Sequence, residues 1–246
     1  MKPSPHLSTQ PAKSCTFRWD AADAYLFDID GTLLNSRDNV HYNAFNHAVR
    51  QFFGVPPTFD RVPLHGNTDL GIMRAVLRRE GVSDQEIDAK LPLMIAAMVE
   101  EVERNAVGIQ PELCPSVEEL VHRLDAAGRL LAIASGNLEK IGWKKLEASG
   151  LRRYFVFGSF SDQREQRADI IRWGVAEVRR RLSGAAVVHV LGDTPSDIQA
   201  AHAAGVPVIA VATGIFGREE LRSHSPDLCV SCCTELLTLG SGEAAD

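Results

Sequence analysis

Short apolar runs alternate with longer amphipathic segments through most of the chain. The first run, Tyr25 to Phe27, leads directly into Asp28-Ile29-Asp30-Gly31-Thr32-Leu33. An apolar run of this kind predicts a buried strand of a parallel sheet. Beyond residue 115 strand and helix patterns alternate, and the first of these helices begins with a capping-box sequence at Ser116. This alternation predicts an α/β fold with a doubly wound, Rossmann-like parallel sheet. Further strands are predicted at residues 129–134, 154–157, 185–191 and 208–211.

Residues 39–109 contain no strand pattern and predict a small, all-helical inserted domain. Helices are expected at residues 41–53 and 69–80, the second capped by Thr68 or Asp69. A third helix runs from Ser83 towards Arg104, with a kink or break at Pro92. The predicted organisation is a disordered lead-in at 1–15, a catalytic core at 16–38 and 110–240, the inserted domain at 39–109 and a frayed tail at 241–246.

The composition is that of an ordinary globular protein. Of the 246 residues, 45% are hydrophobic and 24% are charged, and the formal net charge is -6. A chain without a basic surplus cannot neutralise many phosphates, so general nucleic-acid binding is not expected. No apolar stretch approaches the roughly 20 residues that span a bilayer, and the first residues lack the apolar core of a secretory signal. We therefore expect a cytoplasmic protein with neither a nucleic-acid nor a membrane partner. Whether it is a monomer or a homodimer stays open at this level.

The five cysteines, an odd number without a secretory signal, favour reduced thiols. Cys229 and Cys232 have the spacing of a zinc knuckle, and Cys233 follows directly. A structural zinc site usually needs four ligands, and no matching second pair exists, because Cys15 and Cys114 are isolated. Free thiols near the last strand are therefore the favoured interpretation.

Polar side chains stand where several predicted strands end. Because the carboxyl ends of parallel strands lie along one edge of a sheet, these groups can share a crevice. Asp28 is a candidate nucleophile, and Asp30 can protonate the leaving oxygen and later activate water. The strand-end groups are Asp28 with Asp30, Ser135, Asp193 with Asp197, and Thr213 with Gly214.

A magnesium site and a phosphate cradle are predicted at this edge. Asp193 and a carboxylate of the first strand offer the hard oxygen ligands that Mg²⁺ prefers. Ser135, together with the backbone amides of Gly136 and Asn137, supplies neutral donors at a helix start, a natural phosphate cradle. A cation for the phosphate is the part still missing from this set.

The motifs together resemble those of the haloacid dehalogenase superfamily, specifically its phosphatases with a helical, C1-type cap inserted just after the first strand. The family's first motif, DxDGT[LV], is matched at residues 28–33, and its second, a strand-terminal Ser or Thr, at Ser135. Its fourth, GDxxxD, is matched at residues 192–197. The resemblance spans roughly residues 24–237 and keeps the order of the motifs. It implies a Mg²⁺-dependent hydrolase of phosphoric monoesters, similar to phosphoglycolate phosphatases.

Carried over by position, the resemblance implies a role for each matched residue. Asp28 would form an aspartyl-phosphate, and Asp30 would be the general acid/base with its backbone carbonyl on Mg²⁺. Asp193 would complete the metal site, and Asp197 would lie beside it or on a bound water. Ser135 would hold the phosphate.

The third motif, normally a lysine ahead of the helix that precedes the fourth motif, departs from the family pattern. Residues 161–169 contain no lysine, and Arg167 stands at about the expected position. A guanidinium always carries its charge and binds phosphate through paired hydrogen bonds, so Arg167 is the favoured catalytic cation. Arg164, Lys140 and Lys144 remain alternatives.

The resemblance also implies that the helical insertion is a mobile cap that closes over the site and selects the substrate. Its site-facing residues are expected in the turn Gly66-Asn67-Thr68-Asp69, with Thr68 as a substrate contact, and to include His65 or Arg74. Residues 31–38 would be the hinge. Scattered histidines without a partner at ligand spacing are interpreted as structural: His41, His47, His122, His189 and His202.

Other functions remain open at this level. A β-phosphoglucomutase-like phosphotransferase would share every motif and differ in how the cap treats the intermediate. A 2-haloacid dehalogenase or a phosphonate hydrolase is disfavoured, because Asp30 has no role in those reactions. A non-catalytic binding protein with this fold is supported only by the weak third motif.

Overall fold

A computed structural model describes residues 17–239 of the chain. The predicted lead-in at 1–15 and tail at 241–246 lie outside the described residues. The strands in chain order are β1 (Ala24–Phe27), β2 (Leu34–Ser36), β3 (Pro111–Leu113), β4 (Leu130–Ala134), β5 (Gly158–Ser159), β6 (Val188–Gly192), β7 (Val208–Val211) and β8 (Leu228–Val230).

Six of these strands form one parallel sheet in the order β5-β4-β1-β6-β7-β8. In the centre, Phe27 of β1 is in register with Ile133 of β4 on one side and with Leu191 of β6 on the other. The chain adds β4 and β5 on one side of β1, and then β6, β7 and β8 on the other. The topological switch point therefore lies between β1 and β6, where open α/β sheets bind their ligands. The predicted doubly wound α/β fold is confirmed.

Strand β1 is apolar throughout because both faces of the sheet are covered. Side chains alternate along a strand, so Tyr25 and Phe27 enter one hydrophobic cluster, while Ala24 and Leu26 enter the other. All four are at most 1% exposed. Burying a side chain of the size of Phe or Leu stabilises a fold by about 1.5–3 kcal/mol. A polar residue in this run would lose that contribution on whichever face it occupied.

Helices cover both faces of the sheet and form the insertion. Residues of α4, α5 and α9 pack in the cluster that contains Tyr25, and residues of α6, α7 and α8 pack in the cluster that contains Leu26. No helix in the described range is long and apolar enough to cross a membrane. The helices are α1 (Val40–Phe53), α2 (Asp69–Arg79), α3 (Asp84–Arg104), α4 (Val117–Ala126), α5 (Glu139–Ala148), α6 (Arg167–Arg181), α7 (Pro195–Ala203), α8 (Arg218–Ser223) and α9 (Cys233–Thr238).

The insertion consists of helices α1, α2 and α3, which share a hydrophobic cluster of their own. Fully buried methionines, Met73 of α2 and Met94 and Met98 of α3, lie at its centre. Pro92 stands inside α3, which continues over 21 residues. Of the predicted kink or break at this proline, the break is wrong, because the helix continues through it. Packing against the other two helices compensates for the hydrogen bond that proline cannot donate. A kink at Pro92 stays a prediction.

A short antiparallel ribbon connects the insertion to the sheet unit. Leu34 of β2 is in register with Leu113 of β3. Beyond the ribbon, the carboxylate of Asp38 accepts hydrogen bonds from the backbone N–H groups of Val40 at 2.8 Å and Gln110 at 2.7 Å. The segment that enters the insertion and the segment that leaves it are thus hydrogen-bonded to each other through Asp38. The turn-rich sequence pattern did not predict this contact. We keep the boundaries after residues 38 and 109 as our proposal.

Two local predictions after the insertion differ from the structure. The strand predicted at 154–157 is shifted: Arg152–Tyr154 is a 3-10 helix, and β5 is Gly158–Ser159. The chain already runs along β4 before β5 begins, since the N–H of Val156 donates to the Leu131 carbonyl at 3.0 Å and the N–H of Ile133 to the Phe157 carbonyl at 3.1 Å. Ser116 does not cap α4: its φ is 57° and its hydroxyl lies 2.8 Å from Thr234 Oγ1.

Candidate active site

A cavity of about 310 Å³ lies between the carboxyl edge of the sheet and the helical insertion. Seven of the predicted site residues line it together. Asp197 is fully buried and does not line the cavity, and neither does Thr68. The sheet unit contributes Asp28, Asp30, Ser135, Gly136, Asn137, Lys145, Arg167, Asp193 and Thr194.

Arg167 links two buried carboxylates. Its Nη2 lies 2.8 Å from Asp28 Oδ1 and 2.5 Å from Asp197 Oδ1, and its Nε donates to the same Asp197 oxygen at 2.9 Å. The side chain of Arg167 is only 9% exposed. A cation placed between two carboxylates offsets part of the cost of burying all three charges. Arg167 is therefore a member of the site and not a solvated surface residue.

Asp197 supports Arg167 from behind the cavity. Its Oδ2 accepts hydrogen bonds from the Thr194 hydroxyl at 2.7 Å and the Thr194 N–H at 3.1 Å. The Thr194 hydroxyl accepts in turn from the Asp197 N–H, which completes a capping box at the start of α7. Both carboxylate oxygens of Asp197 are thus engaged by the protein. This arrangement favours a contact with metal through a bound water over direct ligation.

Asp193 reaches the sheet edge between two closely approaching backbone segments. The Thr32 hydroxyl donates to its Oδ1 at 3.1 Å. A Cβ on Gly31 would lie 2.2 Å from Asp193 Oδ2, and a Cβ on Gly214 would lie 1.8 Å from it. Gly31 also has a φ of 85°, which residues with a side chain rarely adopt. The glycines at the ends of two strands therefore make room for this carboxylate.

The geometry of Asp28, Asp193 and Asp197 fits a divalent cation. One oxygen of each lies within 4.8 Å of the others, and among the described residues this is the group suited to hold a metal. Burial raises the pKa of Asp28 to about 6 against the opposing charge of Arg167. Burial, with the charges of Asp28 and Asp197, raises the pKa of Asp193 to about 9. Three ionised carboxylates facing one guanidinium would carry a negative surplus, which the raised pKa of Asp193 relieves in the metal-free protein. Their hard oxygens are the donors that Mg²⁺ prefers.

Asp30 is held by a lysine and an amide. Nζ of Lys145 lies 2.8 Å from both of its carboxylate oxygens, and Asn137 Nδ2 donates to Oδ2 at 2.7 Å. Burial alone would raise the pKa of Asp30, but the charge of Lys145 and these hydrogen bonds outweigh it and hold the pKa below its usual range. The Asp30 side chain is 43% exposed, whereas that of Asp28 is 10% exposed. The two carboxylates of the first motif therefore occupy different electrostatic environments.

Asn137 joins this ion pair to the predicted phosphate cradle. Its Nδ2 also donates to Ser135 Oγ at 2.8 Å, and its Oδ1 accepts from Lys145 Nζ at 2.9 Å. From the sequence, only the backbone amide of Asn137 was predicted to take part in the site. The side chain takes part as well, because its hydrogen bonds set the positions of Ser135, Asp30 and Lys145 at the same time.

Lys145 is the site residue that the sequence analysis missed. It lies on α5, where the buried positions also include Ile141 and Leu146, and its side chain is only 7% exposed. A lysine on the buried face of an amphipathic helix is unusual, and this was the signal in the sequence. The alternative cations have partners elsewhere: Lys140 with Glu103 at 3.7 Å, Lys144 with Glu147 at 2.9 Å, and Arg164 over the Trp173 ring at 4.6 Å.

The insertion docks directly on the phosphate cradle. The N–H of Asp69 donates to the carbonyl of Gly136 at 2.8 Å, and Asp69 Oδ2 accepts from the N–H of Leu138 at 2.7 Å. A Cβ on Gly136 would lie only 2.4 Å from the carbonyl oxygen of Asn67. The absence of a side chain at Gly136 therefore lets the two backbones touch.

Thr68 and Arg74 contact Glu165 instead of the cavity. The Thr68 hydroxyl donates to the Glu165 carbonyl at 2.6 Å and accepts from the Gly71 N–H at 3.0 Å, which caps α2. Arg74 Nε lies 3.0 Å from Glu165 Oε2. The insertion thereby holds the loop that leads to Arg167. The predicted substrate contact of Thr68 gains no support from this geometry.

The structural interpretation of His41 is incomplete. His41 lines the cavity, and its Nε2 lies 3.1 Å from Asp69 Oδ2. His65 lines the cavity as well and is exposed. By contrast, His189 lies on β6 and is buried. Its Nδ1 is 3.2 Å from the carbonyl oxygen of Trp19, as expected of a structural residue.

The cysteines in and directly after the last strand form no disulfide in the described residues. Cys229 and Cys233 are buried, and Cys232 is half-buried. None of them belongs to a metal-suited group within residues 17–239.

Comparison with known proteins places the chain in a family. Residues 25–211 match the model of the haloacid dehalogenase-like hydrolases. The chain is 27% identical over 214 residues to "Probable phosphatase IndB" of Dickeya dadantii, covering 86% of this chain and 90% of that one. It is 29% identical over 216 residues to a phosphoglycolate phosphatase of Synechococcus elongatus, covering 87% and 95%. The structure of CbbY from Rhodobacter sphaeroides with phosphate superposes with a TM-score of 0.67 and 24% identity, covering 87% and 96%.

The fold and the site therefore define an α/β hydrolase with a helical insertion over its strand ends. The chain belongs to the haloacid dehalogenase-like hydrolases, since the family match covers most of its length. The predicted family and the prediction of a phosphatase enzyme are both confirmed.

Proposed function

We propose that this protein is a Mg²⁺-dependent phosphomonoester hydrolase that acts on a small phosphorylated metabolite through an aspartyl-phosphate intermediate. The observation that carries the proposal is the position of Asp28. It is buried at the end of the central strand, bound by Arg167 at 2.8 Å, and clustered with Asp193 and Asp197 within 4.8 Å. Burying three carboxyl groups beside one guanidinium is costly for the fold, which supports a functional role for the cluster over a purely structural one.

The metal site of the proposal uses residues of the first and fourth motifs. Asp28 and Asp193 would hold Mg²⁺ directly, with the backbone carbonyl of Asp30, and Asp197 would contribute through a bound water. Bound Mg²⁺ would neutralise charge between these carboxylates and the incoming phosphate. The close spacing of the buried Asp28, Asp193 and Asp197 carboxyl oxygens, within 4.8 Å of one another, supports this assignment.

The chemical steps follow from the two environments of the first motif. One carboxylate oxygen of Asp28 bonds to phosphorus as the bond from phosphorus to the ester oxygen breaks, and protonated Asp30 gives its proton to the leaving alcohol. Asp30 then takes a proton from water, whose oxygen attacks the phosphorus of the aspartyl-phosphate. Inorganic phosphate leaves, and the carboxylate of Asp28 is restored.

Lys145 and Arg167 would share the role of the phosphate-binding cation. Each is paired with a carboxylate of the first motif, Lys145 with Asp30 and Arg167 with Asp28. Ser135 and the backbone amides of Gly136 and Asn137 would bind the remaining phosphate oxygens. We propose that an incoming phosphate attracts Lys145, which weakens its hold on Asp30 and lets that carboxyl become protonated.

The helical insertion would act as the cap. Its contacts with Gly136, Leu138 and Glu165 support a closed position over the cavity. Closure of this kind excludes water and brings substrate-selecting side chains to the site. The proposal includes a cytoplasmic location, supported by the free thiols, and a monomer or homodimer as the working form.

The direct test is hydrolysis of p-nitrophenyl phosphate in Mg²⁺ and after chelation. We expect Mg²⁺-dependent turnover by the wild type and its loss in Asp28→Asn. The matched control is Asp169→Asn, which removes a carboxylate paired with Arg172 on the surface of α6. Absence of turnover of any phosphate ester by the wild type would contradict the proposal. A release of phosphate well below the consumption of substrate in a metabolite screen would instead indicate a phosphotransferase.

A further inference from the structure

We propose that the alcohol part of the substrate is an uncharged, ring-sized apolar group. This inference rests on the proposed function, because it concerns the part of a phosphomonoester that points away from Asp28. The insertion side of the cavity carries the evidence. We name its apolar lining the aromatic wall: Tyr42, Phe45, Phe59, Leu64 and Ile72.

Three rings of the aromatic wall pack on one another. The Phe59 ring lies 5.0 Å from that of Tyr42 and 5.1 Å from that of Phe45, at tilted angles of 41° and 56°. These distances are typical of favourable aromatic pairs. Phe45 is buried in the insertion, whereas Tyr42 is 50% exposed. Phe59 is half-buried, and Tyr42 is the most exposed of the three rings, so Tyr42 keeps apolar surface that a ligand in the cavity can cover.

The charges around the cavity argue against an anionic alcohol part. The lysine and the arginine that line the cavity both belong to the sheet unit. Lys145 is paired with Asp30, and Arg167 is paired with Asp28. Among the described residues that line this cavity, the insertion supplies no arginine or lysine. A substrate with a second negative charge would bring it against apolar rings, where the ion would lose hydration without gaining a charged partner.

The remaining ionisable groups on this side of the cavity do not change this conclusion. His41 already has a partner, since its Nε2 lies 3.1 Å from Asp69 Oδ2. Both oxygens of Asp38 accept backbone hydrogen bonds and would in any case repel an anion. His65 lines this cavity as well, but it is exposed and borders a neighbouring cavity, so any charge that it carries is screened by water.

The volume of the cavity sets the size of the group. About 310 Å³ lies at the lower end of the range for small-molecule sites, roughly 300–1,000 Å³. A phosphate and one six-membered ring fit this space, and a two-carbon acid would leave the aromatic wall uncovered. The inferred substrates are thus monoesters of an arylmethyl or alicyclic alcohol. Several relatives carry the name phosphoglycolate phosphatase. The inference predicts a different substrate for this chain from the one in those names.

The test compares three esters of primary alcohols, so that the leaving groups are of one chemical type. We expect kcat/KM for benzyl phosphate and cyclohexylmethyl phosphate to exceed that for 2-phosphoglycolate by at least about tenfold. Binding of their non-hydrolysable analogues to the wild type gives a second measurement. By calorimetry, 2-phenylethylphosphonate should bind more tightly than 3-phosphonopropionate.

Variants of Tyr42 connect this preference to the aromatic wall. Tyr42→Ala should lower the ratio of kcat/KM for benzyl phosphate to that for 2-phosphoglycolate by about fivefold or more. Tyr42→Lys should lower it further, because it adds a cation that suits the acid. The control is Phe53→Ala, which removes a ring of the same helix that lies under Lys90 and outside the cavity. It should leave the ratio unchanged, and melting curves show that each variant is folded.

The outcomes separate this inference from the proposed function. If 2-phosphoglycolate is the better substrate and 3-phosphonopropionate the tighter ligand, the aromatic wall does not select the substrate and the inference is overturned. An unchanged ratio in folded Tyr42→Ala would overturn it as well. If no ester is hydrolysed, the proposed function fails, and the order of phosphonate affinities still decides the inference.

Discussion

The ammonium nitrogen of Lys145 lies 2.8 Å from each carboxylate oxygen of Asp30, although 115 positions separate the two residues in the chain. The contact gives Asp30 a pKa below its usual range in the free protein. An acid that donates a proton during catalysis must first become protonated, so Lys145 has to be part of any account of that step.

Replacing Lys145 tests this relationship. Lys145→Met removes the main influence that lowers the pKa of Asp30, so burial would raise that pKa. In a plot of kcat/KM against pH, the limb that reports the ionisation of Asp30 should therefore move to higher pH. We expect kcat/KM for p-nitrophenyl phosphate to fall about 100-fold, as for loss of one charged donor at a transition state.

The matched control is the neighbouring lysine. Lys144→Met breaks only a surface pair with Glu147 and should stay within about twofold of the wild type. Full activity with an unshifted pH profile in Lys145→Met would show that Lys145 is structural.

Arg167 offers a second test, because it contacts both Asp28 and Asp197. Arg167→Gln should reduce kcat/KM by roughly 100-fold or more, since the nucleophile loses its orienting partner. Arg167→Lys should recover part of that loss, because it restores the positive charge. The recovery should be incomplete, because a single ammonium cannot bridge two carboxylates as a guanidinium does.

Arg164 is the matched control for Arg167. Its guanidinium lies over the Trp173 ring and not in the site, so Arg164→Gln should keep nearly all activity. Equal losses in both variants would mean that the loop, and not the Arg167 guanidinium, matters.

Mg²⁺ should stabilise the protein, and more so at higher pH. A carboxyl whose folded pKa is raised, such as Asp193 at about 9, costs the metal-free fold stability as pH rises above its unfolded value of 3.8. We expect saturating Mg²⁺ to raise the Tm by roughly 5–10 °C at pH 8. The increase should be smaller at pH 5, where protons compete for the same oxygens.

Asp193→Asn separates the cost of burying this carboxyl from the binding of the metal. Without Mg²⁺ the variant should melt at a higher temperature than the wild type at pH 8. Asn is neutral in both states, whereas the Asp193 carboxyl, with a folded pKa of about 9, must take up a proton when the chain folds. Addition of Mg²⁺ should then produce almost no increase. A wild-type shift in this variant would exclude Asp193 as a ligand.

Gly136→Ala should disturb the docking of the insertion. The new Cβ would lie 2.4 Å from the Asn67 carbonyl oxygen, so the two backbones must separate. We expect an increase in KM of about tenfold or more with a folded protein, measured by steady-state kinetics and melting. Gly184→Ala is the control, because its Cβ would meet nothing within 4 Å.

Acidification should destabilise the fold through His189. Burial lowers the pKa of His189 below the value near 6.5 that it has when unfolded. The unfolded chain therefore binds the proton first, and stability that is complete above about pH 6.5 is lost as the pH falls. The slope of Tm between pH 7.5 and 5.5 should decrease in His189→Asn. Replacement of the exposed His122 by Asn should leave the slope unchanged.

The sequence by itself determined the fold class and the strand-end half of the site. Apolar runs that end in polar residues are a local signal, and parallel strands bring such ends to one edge by topology alone. Asp28, Asp30, Ser135 and Asp193 could be assigned for this reason. Arg167 followed from its place ahead of the fourth motif.

Only the tertiary structure decided which side chains complete those strand ends. Lys145 lies on a helix, and its position at Asp30 depends on how α5 packs against the sheet, which no local pattern reports. The same holds for His41, for the grip of Thr68 and Arg74 on Glu165, and for the β2–β3 ribbon. Contacts between segments distant in sequence arise from packing, so the residues that tune the chemistry and select the substrate became visible only in three dimensions.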